Sequence, residues 1–310
     1  MTTLIFVVFL AFALDRWLPA RAGNQFWVWY SDWVESIEQR FNGGLRSQGV
    51  LAVMLAVTPT SAVVLLGYLV LGQISAVLAF VFAVATLYLC VDLFRLGNIA
   101  QNVATALEQG DIKTAATKLR ELTGKDTVET TNAGVAHATV EAVLKQGNTL
   151  VMAPVFWFFL LGPLGAILQR LVSVLDKVWG HRSAHFAEFG WAAARLDDLV
   201  TWVPARVTAF SYAMMGSFED ALHCWRRHAG MWSDLGSGPL LVTGLGALHL
   251  TNCEDNNEDD PYGMKPLSPT TLPTASDVRR SVALVWRVML MWLAVGMLMT
   301  GAHLAGFITR

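Results

Sequence analysis

Long hydrophobic runs alternate along the chain with polar segments whose apolar residues recur at helical spacing. The longest uncharged runs are Val50–Leu71 and Ile74–Val91, and only Gly72-Gln73 separates them. Each run is long enough to cross the hydrocarbon core of a bilayer as a helix. We therefore predict a transmembrane hairpin with a tight turn.

The apolar runs at the two ends of the chain are less regular. The N-terminal run ends at Asp15-Arg16, with no basic residue before it and no small-residue cleavage site after it. These features favour a short retained anchor over a cleaved signal peptide. The last run, Val282–Ile308, is long enough to span the membrane with some tilt and predicts the final helix.

The segment Leu150–Ile167 is apolar enough to cross, but it contains Pro154, Gly162 and Pro163. These residues interrupt helical hydrogen bonding, which a membrane tolerates only where protein or water satisfies the freed backbone groups. A kinked or re-entrant segment is therefore nearly as well supported as a straight span. The apolar patch Leu235–Leu250 is too short and too rich in glycine to assign.

The polar segments have helical periodicity and no strand-like alternation. In Asn98–Leu122 the apolar residues fall on one helical face, with Gly110-Asp111 as a turn, whereas the acidic, proline-rich Thr251–Ser276 is irregular. We predict an all-α polytopic integral membrane protein with four to five transmembrane helices and amphipathic helical polar regions. The predicted division is an anchor with the hairpin, a polar region, a core, an irregular loop and a last helix, at residues 1–91, 92–149, 150–250, 251–281 and 282–310.

Composition supports membrane insertion. The chain is 54% hydrophobic and 15% charged, with a mean hydropathy of +0.46, whereas soluble domains carry about 25% charged residues. The net charge of −2 argues against a nucleic-acid partner. Three cysteines without a CxxC spacing do not suggest a disulfide framework or a zinc site, although a single bridge stays open. The expected partner is the lipid bilayer, and oligomerisation is possible.

Ionisable residues concentrate in residues 176–206, between apolar segments. Such groups are costly near a membrane and persist mainly where they face a protein-lined or wet cavity. Asp197 and Asp198 project about 100° apart on a helix. Arg195 lies close enough to Asp198 to pair with it, and a solvated helix face explains that pair equally well.

Two further residues of this stretch have predictable consequences. Pro204 lacks a backbone donor and frees the carbonyl of Val200, which must then find another partner. Arg206 can offer a bidentate fork to a carboxylate or phosphate, and a lipid headgroup contact is an equal alternative.

The histidines of this stretch suggest a metal site only weakly. His181 and His185 lie one helical turn apart, with Glu188 further on, and zinc accepts such ligands. That spacing is common by chance, so surface or interfacial histidines are favoured. No Walker or dinucleotide phosphate loop is present, and the acidic loop does not have the EF-hand spacing.

Several motifs in order resemble the superfamily that joins the cobalamin-biosynthesis membrane proteins CobD/CbiB with the membrane protein AmpE. The resemblance runs from Asn98 to the last helix. Within Leu107–Thr127, Lys125 stands where the family usually has arginine. The other matching positions are Glu141, Ala153-Pro154, Asp176, Gly180 and, most closely, FGWAAARLDDLVTWVPAR at residues 189–206.

The chain also departs from the CobD/CbiB pattern at polar positions. The resemblance to CobD/CbiB proteins implies an amide-forming site that binds phosphates and a carboxylate. Such a site depends on preorganised polar groups, so the loss of several of them argues against that activity. The segment LVTWVPARV and the pattern in Tyr212–Trp225 resemble AmpE instead. The departing positions are Lys145, Gln146, Thr149, Ser173, Val174, Lys177 and Thr201.

The resemblance therefore predicts an AmpE-like sensor or regulator in the bacterial inner membrane, linked to β-lactamase induction and peptidoglycan recycling. A first alternative is a CobD/CbiB-type enzyme that joins adenosylcobyric acid to an aminopropanol moiety with ATP, with Asp176 and Asp197 or Asp198 positioning the ATP-bound Mg²⁺. A second alternative is a structural scaffold. The predicted pocket would bind an anionic or muropeptide-like ligand through Glu141, Asp176, Arg195, Asp197, Asp198 and Arg206.

Overall fold

The computed structural model describes residues 2–18, 21–124, 131–180, 188–228, 237–251 and 272–304. Within these ranges the regular structure consists of α-helices and one short π-helix, without a β-strand, so the predicted all-α class is confirmed. The helices are α1 (Thr2–Trp17), α2 (Arg21–Phe41), α3 (Arg46–Ile74), α4 (Ala76–Cys90), α5 (Leu93–Glu108), α6 (Ile112–Thr123), α7 (Asn132–Gly147), the π-helix (Asn148–Met152), α8 (Ala153–Leu161), α9 (Pro163–Trp179), α10 (Trp191–Met215), α11 (Phe218–His228), α12 (Ser237–Ala247) and α13 (Ala275–Leu304).

The chain divides into two compact units, each assembled from segments that are distant in sequence. Unit 1 comprises Met1–Asp92, Thr149–Thr201 and Leu293–Arg310, and unit 2 comprises Leu93–Asn148 and Trp202–Trp292. Helices α10 and α13 contribute residues to both units. The five-segment linear division made from the sequence stays a prediction.

Unit 1 is organised around α9. This helix packs against α2, α3, α4 and α8, and α4 also packs against α1 and α3. The side chains in its core are large and apolar, and their close van der Waals packing stabilises the contacts between the helices. Fully buried examples are Leu87, Phe158, Leu171, Leu175 and Trp179.

Unit 2 contains α5, α6 and α7 packed on one another, with α12 between α7 and α11. Every residue of α12 is buried, so the part of the glycine-rich patch from Ser237 to Ala247 is a buried helix. Its glycines allow this close packing: a Cβ at Gly244 would lie 2.8 Å from Leu144, and a Cβ at Gly246 would lie 2.9 Å from the Cys224 sulfur. The turn predicted at Gly110-Asp111 separates α5 from α6.

Four helical stretches of the described chain are long and apolar enough to cross a membrane. The predicted hairpin is present as α3 and α4, and Ser75 between them caps α4 by accepting a hydrogen bond from the Val77 amide at 3.2 Å. The N-terminal helix α1 is shorter than these four. The stretches are Arg46–Ile74, Ala76–Glu108, Asn132–Leu161 and Ala275–Ala302.

The third of these stretches, Asn132–Leu161, starts and ends earlier in the sequence than the segment predicted from hydropathy. The crossing helix starts at Asn132 and ends at Leu161, so the predicted segment Leu150–Ile167 covers the end of one helix and the start of another. Gly162 makes the break with a φ of 64°, a conformation that favours glycine. The segment is thus interrupted at Gly162, where α8 gives way to α9 packed against it, and is not a straight span.

Proline explains the π-helix inside this stretch. Pro154 cannot donate to the carbonyl of Leu150, four residues earlier. That carbonyl instead accepts a hydrogen bond from the Asp92 amide at 3.2 Å, at the point where α4 gives way to α5. The donor at the break between α4 and α5 therefore bonds to the acceptor that Pro154 leaves free, and a membrane requires that such backbone groups be satisfied.

Candidate functional site

Helix α10 carries the DD and PAR motifs and contains Pro204 in its interior. The Val200 carbonyl that Pro204 leaves without a helical donor accepts a hydrogen bond from the indole Nε1 of Trp157 at 3.0 Å. The prediction that Val200 needs an outside partner is confirmed. Because Trp157 belongs to the APVFW motif, this hydrogen bond joins two of the motifs within unit 1.

The paired acids of α10 face different surroundings. Arg195 Nη1 lies 3.8 Å from Asp198 Oδ2, which confirms the predicted pair, and the side chains are 60% and 35% exposed. Such an exposed pair adds little stability. Oδ1 of Asp197 is shielded from solvent, so the neighbouring carboxylate turns inward. This divergence follows from the angle between adjacent positions on a helix.

Asp176 and Gly180 form one local structure at the end of α9. The Gly180 amide donates to the Asp176 carbonyl at 2.7 Å. A Cβ at position 180 would collide with both that carbonyl oxygen and the Asp176 carboxylate. Glycine is therefore required for the aspartate to fold back over the helix end, which explains why the two residues occur together in one motif.

Arg206 is held against its own helix. Its Cζ lies 4.0 Å from the centroid of the Trp202 ring, and Nη1 donates to the Trp202 carbonyl at 3.0 Å. Partial burial lowers the pKa of Arg206 from its ordinary value, but a guanidinium remains charged in proteins. This arrangement orients the planar fork for a carboxylate or phosphate.

A line of polar side chains runs along α7 at one-turn spacing. His137 Nδ1 lies 3.8 Å from Glu141 Oε1, and Lys145 Nζ donates to Ser237 Oγ at 3.4 Å. Directly after α7 in the chain, the Asn148 side chain accepts a hydrogen bond from the Thr208 hydroxyl at 2.9 Å. Ionisable residues on a helix apolar enough to cross a membrane usually mark a functional surface.

The predicted site residues are divided between the two units. Asp176, Arg195, Asp197 and Asp198 belong to unit 1, whereas Glu141 and Arg206 belong to unit 2. The described geometry joins Arg195 to Asp198 directly.

Sequence reasoning missed a buried polar group in unit 1. Asp15, Asp92, Gln169 and Arg170 are all less than a tenth exposed, and we call these four residues the buried charge cluster. A charged residue at the edge of an apolar run was the available signal. That signal does not distinguish a residue at the membrane surface from one that packing buries.

The weak hypothesis of a metal site at the histidine pair stays a prediction. His181 and His185 lie outside the described residues. Glu188, their proposed companion, pairs instead with Arg46, whose guanidinium also lies 5.4 Å from the Trp191 ring. Among the residues that the structure describes, no group of three or more His, Cys, Asp or Glu side chains could hold a metal ion.

The fold and these motifs define a class: polytopic all-α membrane proteins with ionisable motif residues on helices beside their apolar spans. The CobD/Cbib protein family model matches residues 8–300, and the chain belongs to that family. No solved structure matches the chain.

Bacterial relatives extend the likeness over most of the chain. A cobalamin biosynthesis protein CobD of Stutzerimonas stutzeri is 37% identical over 84% of this chain and 86% of its own length. The protein of the same name from Chromobacterium violaceum is 37% identical over 82% of this chain and 80% of its own length. The protein of the same name from Halalkalibacterium halodurans is 28% identical over 96% of this chain and 97% of its own length.

These relatives overturn the main function predicted from the sequence. The AmpE-like sensor linked to β-lactamase induction is wrong, because the likeness to proteins named CobD covers nearly the whole chain. The departures from the family pattern at polar positions do not place the chain outside the CobD family. The Gln146 side chain, for example, donates to the Leu122 carbonyl at 2.5 Å and so ties α7 to α6, a structural contact.

Proposed function

We propose that the chain is a CobD-type enzyme of cobalamin biosynthesis, which joins adenosylcobyric acid to an aminopropanol moiety, free or phosphorylated, through an amide bond. The observation that carries this proposal is the likeness to two relatives named cobalamin biosynthesis protein CobD, at 37% identity over 84% and 82% of the chain.

The reaction class sets demands on the protein. Condensing a carboxylate with an amine to form an amide releases the elements of water, so an activating co-reactant is needed. ATP supplies that activation, because one carboxylate oxygen can leave as part of phosphate. The protein must then hold phosphates and a corrin carboxylate with preorganised positive groups, near carboxylates that accept a metal ion.

The motif residues have the chemistry for these tasks. Arg206, with its guanidinium fixed on Trp202, would bind a phosphate or the substrate carboxylate. Mg²⁺ takes one or two protein carboxylates together with phosphate oxygens. Because Asp197 and Asp198 diverge, one of them, together with Asp176, would hold the magnesium of Mg-ATP.

The polar line on α7 supports a reaction close to the membrane. Glu141 and Lys145 lie on a stretch of helix that is long and apolar enough to span a bilayer. We assign the protein to the bacterial inner membrane as a multi-pass enzyme, with Glu141 among the residues that contact substrate.

Genetic complementation tests the proposal in its natural setting. A strain that lacks CobD and depends on adenosylcobyric acid for its corrinoid should regain cobinamide formation when this chain is expressed. The double variant Asp197→Asn/Asp198→Asn, which removes both candidate carboxylates, should fail to restore it, whereas the exposed Asp32→Asn should succeed. If the wild-type chain accumulates in the membrane at normal levels without restoring cobinamide formation, the proposed function is wrong.

A further inference from the structure

Helix α10 carries an exposed apolar face on the part of it that belongs to unit 2. Between positions 202 and 215 every exposed residue is apolar. From position 203 these residues recur after four, three and four residues, so they line one face of the helix. A ring at the start of α11 extends the face, because the centroids of the Phe210 and Phe218 rings lie 6.3 Å apart. We call these residues the α10 strip: Trp202, Val203, Val207, Phe210, Met214 and Phe218.

The opposite face of α10 is hydrogen-bonded to helices that are apolar enough to cross a membrane. The buried Tyr212 hydroxyl donates to the Leu144 carbonyl at 3.0 Å. The Trp292 Nε1 donates to the Ser211 hydroxyl at 3.0 Å. Leu144 lies in the third and Trp292 in the fourth of the stretches long enough to span a bilayer. Within unit 2, α10 therefore runs beside two candidate spans.

Helix α6 of the same unit has the opposite kind of surface. Its buried residues are apolar, as in an ordinary amphipathic helix at a water-exposed surface. Its exposed residues are all polar: Lys113, Thr114, Thr117, Arg120 and Glu121. An apolar face as continuous as the α10 strip is rare on a surface that water covers. The contrast between the two helices indicates that they meet different surroundings.

Polar residues bound the α10 strip at both ends. Arg206 stacks on Trp202 at one end, and tryptophan and cationic side chains are typical of the headgroup level of a bilayer. At the other end, beyond Phe218, the α11 residues Glu219 and His223 are exposed. From Trp202 to Met214 the helix rises about 18 Å, which is more than half of the ~30 Å hydrocarbon core.

We propose that the α10 strip contacts the acyl chains of the bilayer, so that α10 is a membrane-embedded helix beside the third and fourth spans. The four stretches recognised by hydropathy do not include α10, because its charged residues lower its mean hydropathy. The stacked Trp202 and Arg206 lie at the headgroup level, and the adjoining DD motif lies toward the membrane surface. This assignment is independent of the reaction that the protein catalyses.

Photocrosslinking identifies what covers the strip. The full chain is prepared with p-benzoylphenylalanine in place of Val207, Phe210 or Met214, one position at a time, in nanodiscs of phosphatidylethanolamine and phosphatidylglycerol. After irradiation, intact-mass spectrometry should show a phospholipid adduct at each position. The same probe in place of Thr117, on the polar face of α6, should give none. Crosslinks to a second copy of the chain, or no adduct at any of the three positions, would overturn the assignment.

Charge substitution provides a second readout. Phe210→Asp and Val207→Asp should each lower the amount of folded protein in the membrane fraction severalfold, because a carboxylate facing acyl chains is costly. Phe210→Leu, which keeps the face apolar, and Thr117→Asp, on the water-exposed face of α6, should leave that amount unchanged. Wild-type amounts of both aspartate variants would show that the strip does not face hydrocarbon.

Discussion

The hydrogen bond from Trp157 to the carbonyl that Pro204 exposes should be measurable as a coupling energy. Trp157→Phe keeps the aromatic ring but removes the donor 3.0 Å from the Val200 carbonyl. Leaving a buried acceptor unsatisfied costs about 1–3 kcal/mol, and this half-buried site should fall at the lower end, at about 1–2 kcal/mol. Pro204→Ala supplies a backbone N–H in the helix that can reach the same carbonyl.

The assay is a double-mutant cycle by denaturant unfolding in mixed micelles. Pro204→Ala should stabilise the Trp157→Phe variant by about 1 kcal/mol more than it stabilises the wild-type chain, because only there does the new N–H meet an unsatisfied carbonyl. Trp292→Phe is a matched control, since its Nε1 donates to the Ser211 hydroxyl at 3.0 Å. Additive effects at Trp157 and Pro204, within about 0.3 kcal/mol, would show that the Trp157 indole does not stabilise the protein by satisfying the Val200 carbonyl.

Three further changes probe the motifs and the polar regions. Gly180→Ala should destabilise the protein by about 1–3 kcal/mol in the same assay, because its Cβ collides with Asp176; a wild-type unfolding midpoint would contradict this. Arg206→Lys should lower amide formation at least on the order of tenfold at unchanged stability, because lysine has no planar fork to stack on Trp202; equal rates would exclude that role. Hydrogen bonds from the hydroxyl and backbone amide of Thr114, in the first turn of α6, lower the pKa of Asp111, so its stabilisation is present above the ordinary aspartate pKa of about 3.9 and is lost as the pH falls through the lower folded value. Asp111→Asn should remove that part of the acid dependence of unfolding, and an unchanged acid profile would count against it.

Hydropathy and helix chemistry predict the elements whose cause is local. The hairpin, the turn at Gly110-Asp111 and the unsatisfied carbonyl of Val200 all follow from the residues themselves. The register of the third span does not, because polar residues such as His137 and Lys145 lower the hydropathy of α7 and hide its start at Asn132.

The buried charge cluster could not be predicted for a different reason. Asp92 stands just after a long apolar run, where a sequence pattern indicates a membrane boundary, and its burial depends on tertiary contacts such as the hydrogen bond from its amide to the Leu150 carbonyl. The candidate site residues of α10 could be predicted, because they belong to a recognisable sequence motif. Their distribution between two units was not, since it depends on contacts between segments that are distant in sequence.

Product formation by the purified protein tests the central claim most directly. The chain in nanodiscs is incubated with adenosylcobyric acid, aminopropanol or its phosphate, and Mg-ATP, and the corrinoid products are identified by mass spectrometry. We expect a corrinoid whose mass exceeds that of adenosylcobyric acid by the mass of the amine minus water, formed only with ATP and absent in the double variant Asp197→Asn/Asp198→Asn. A folded protein that leaves adenosylcobyric acid unchanged with either amine would contradict the assignment as a cobinamide-forming enzyme.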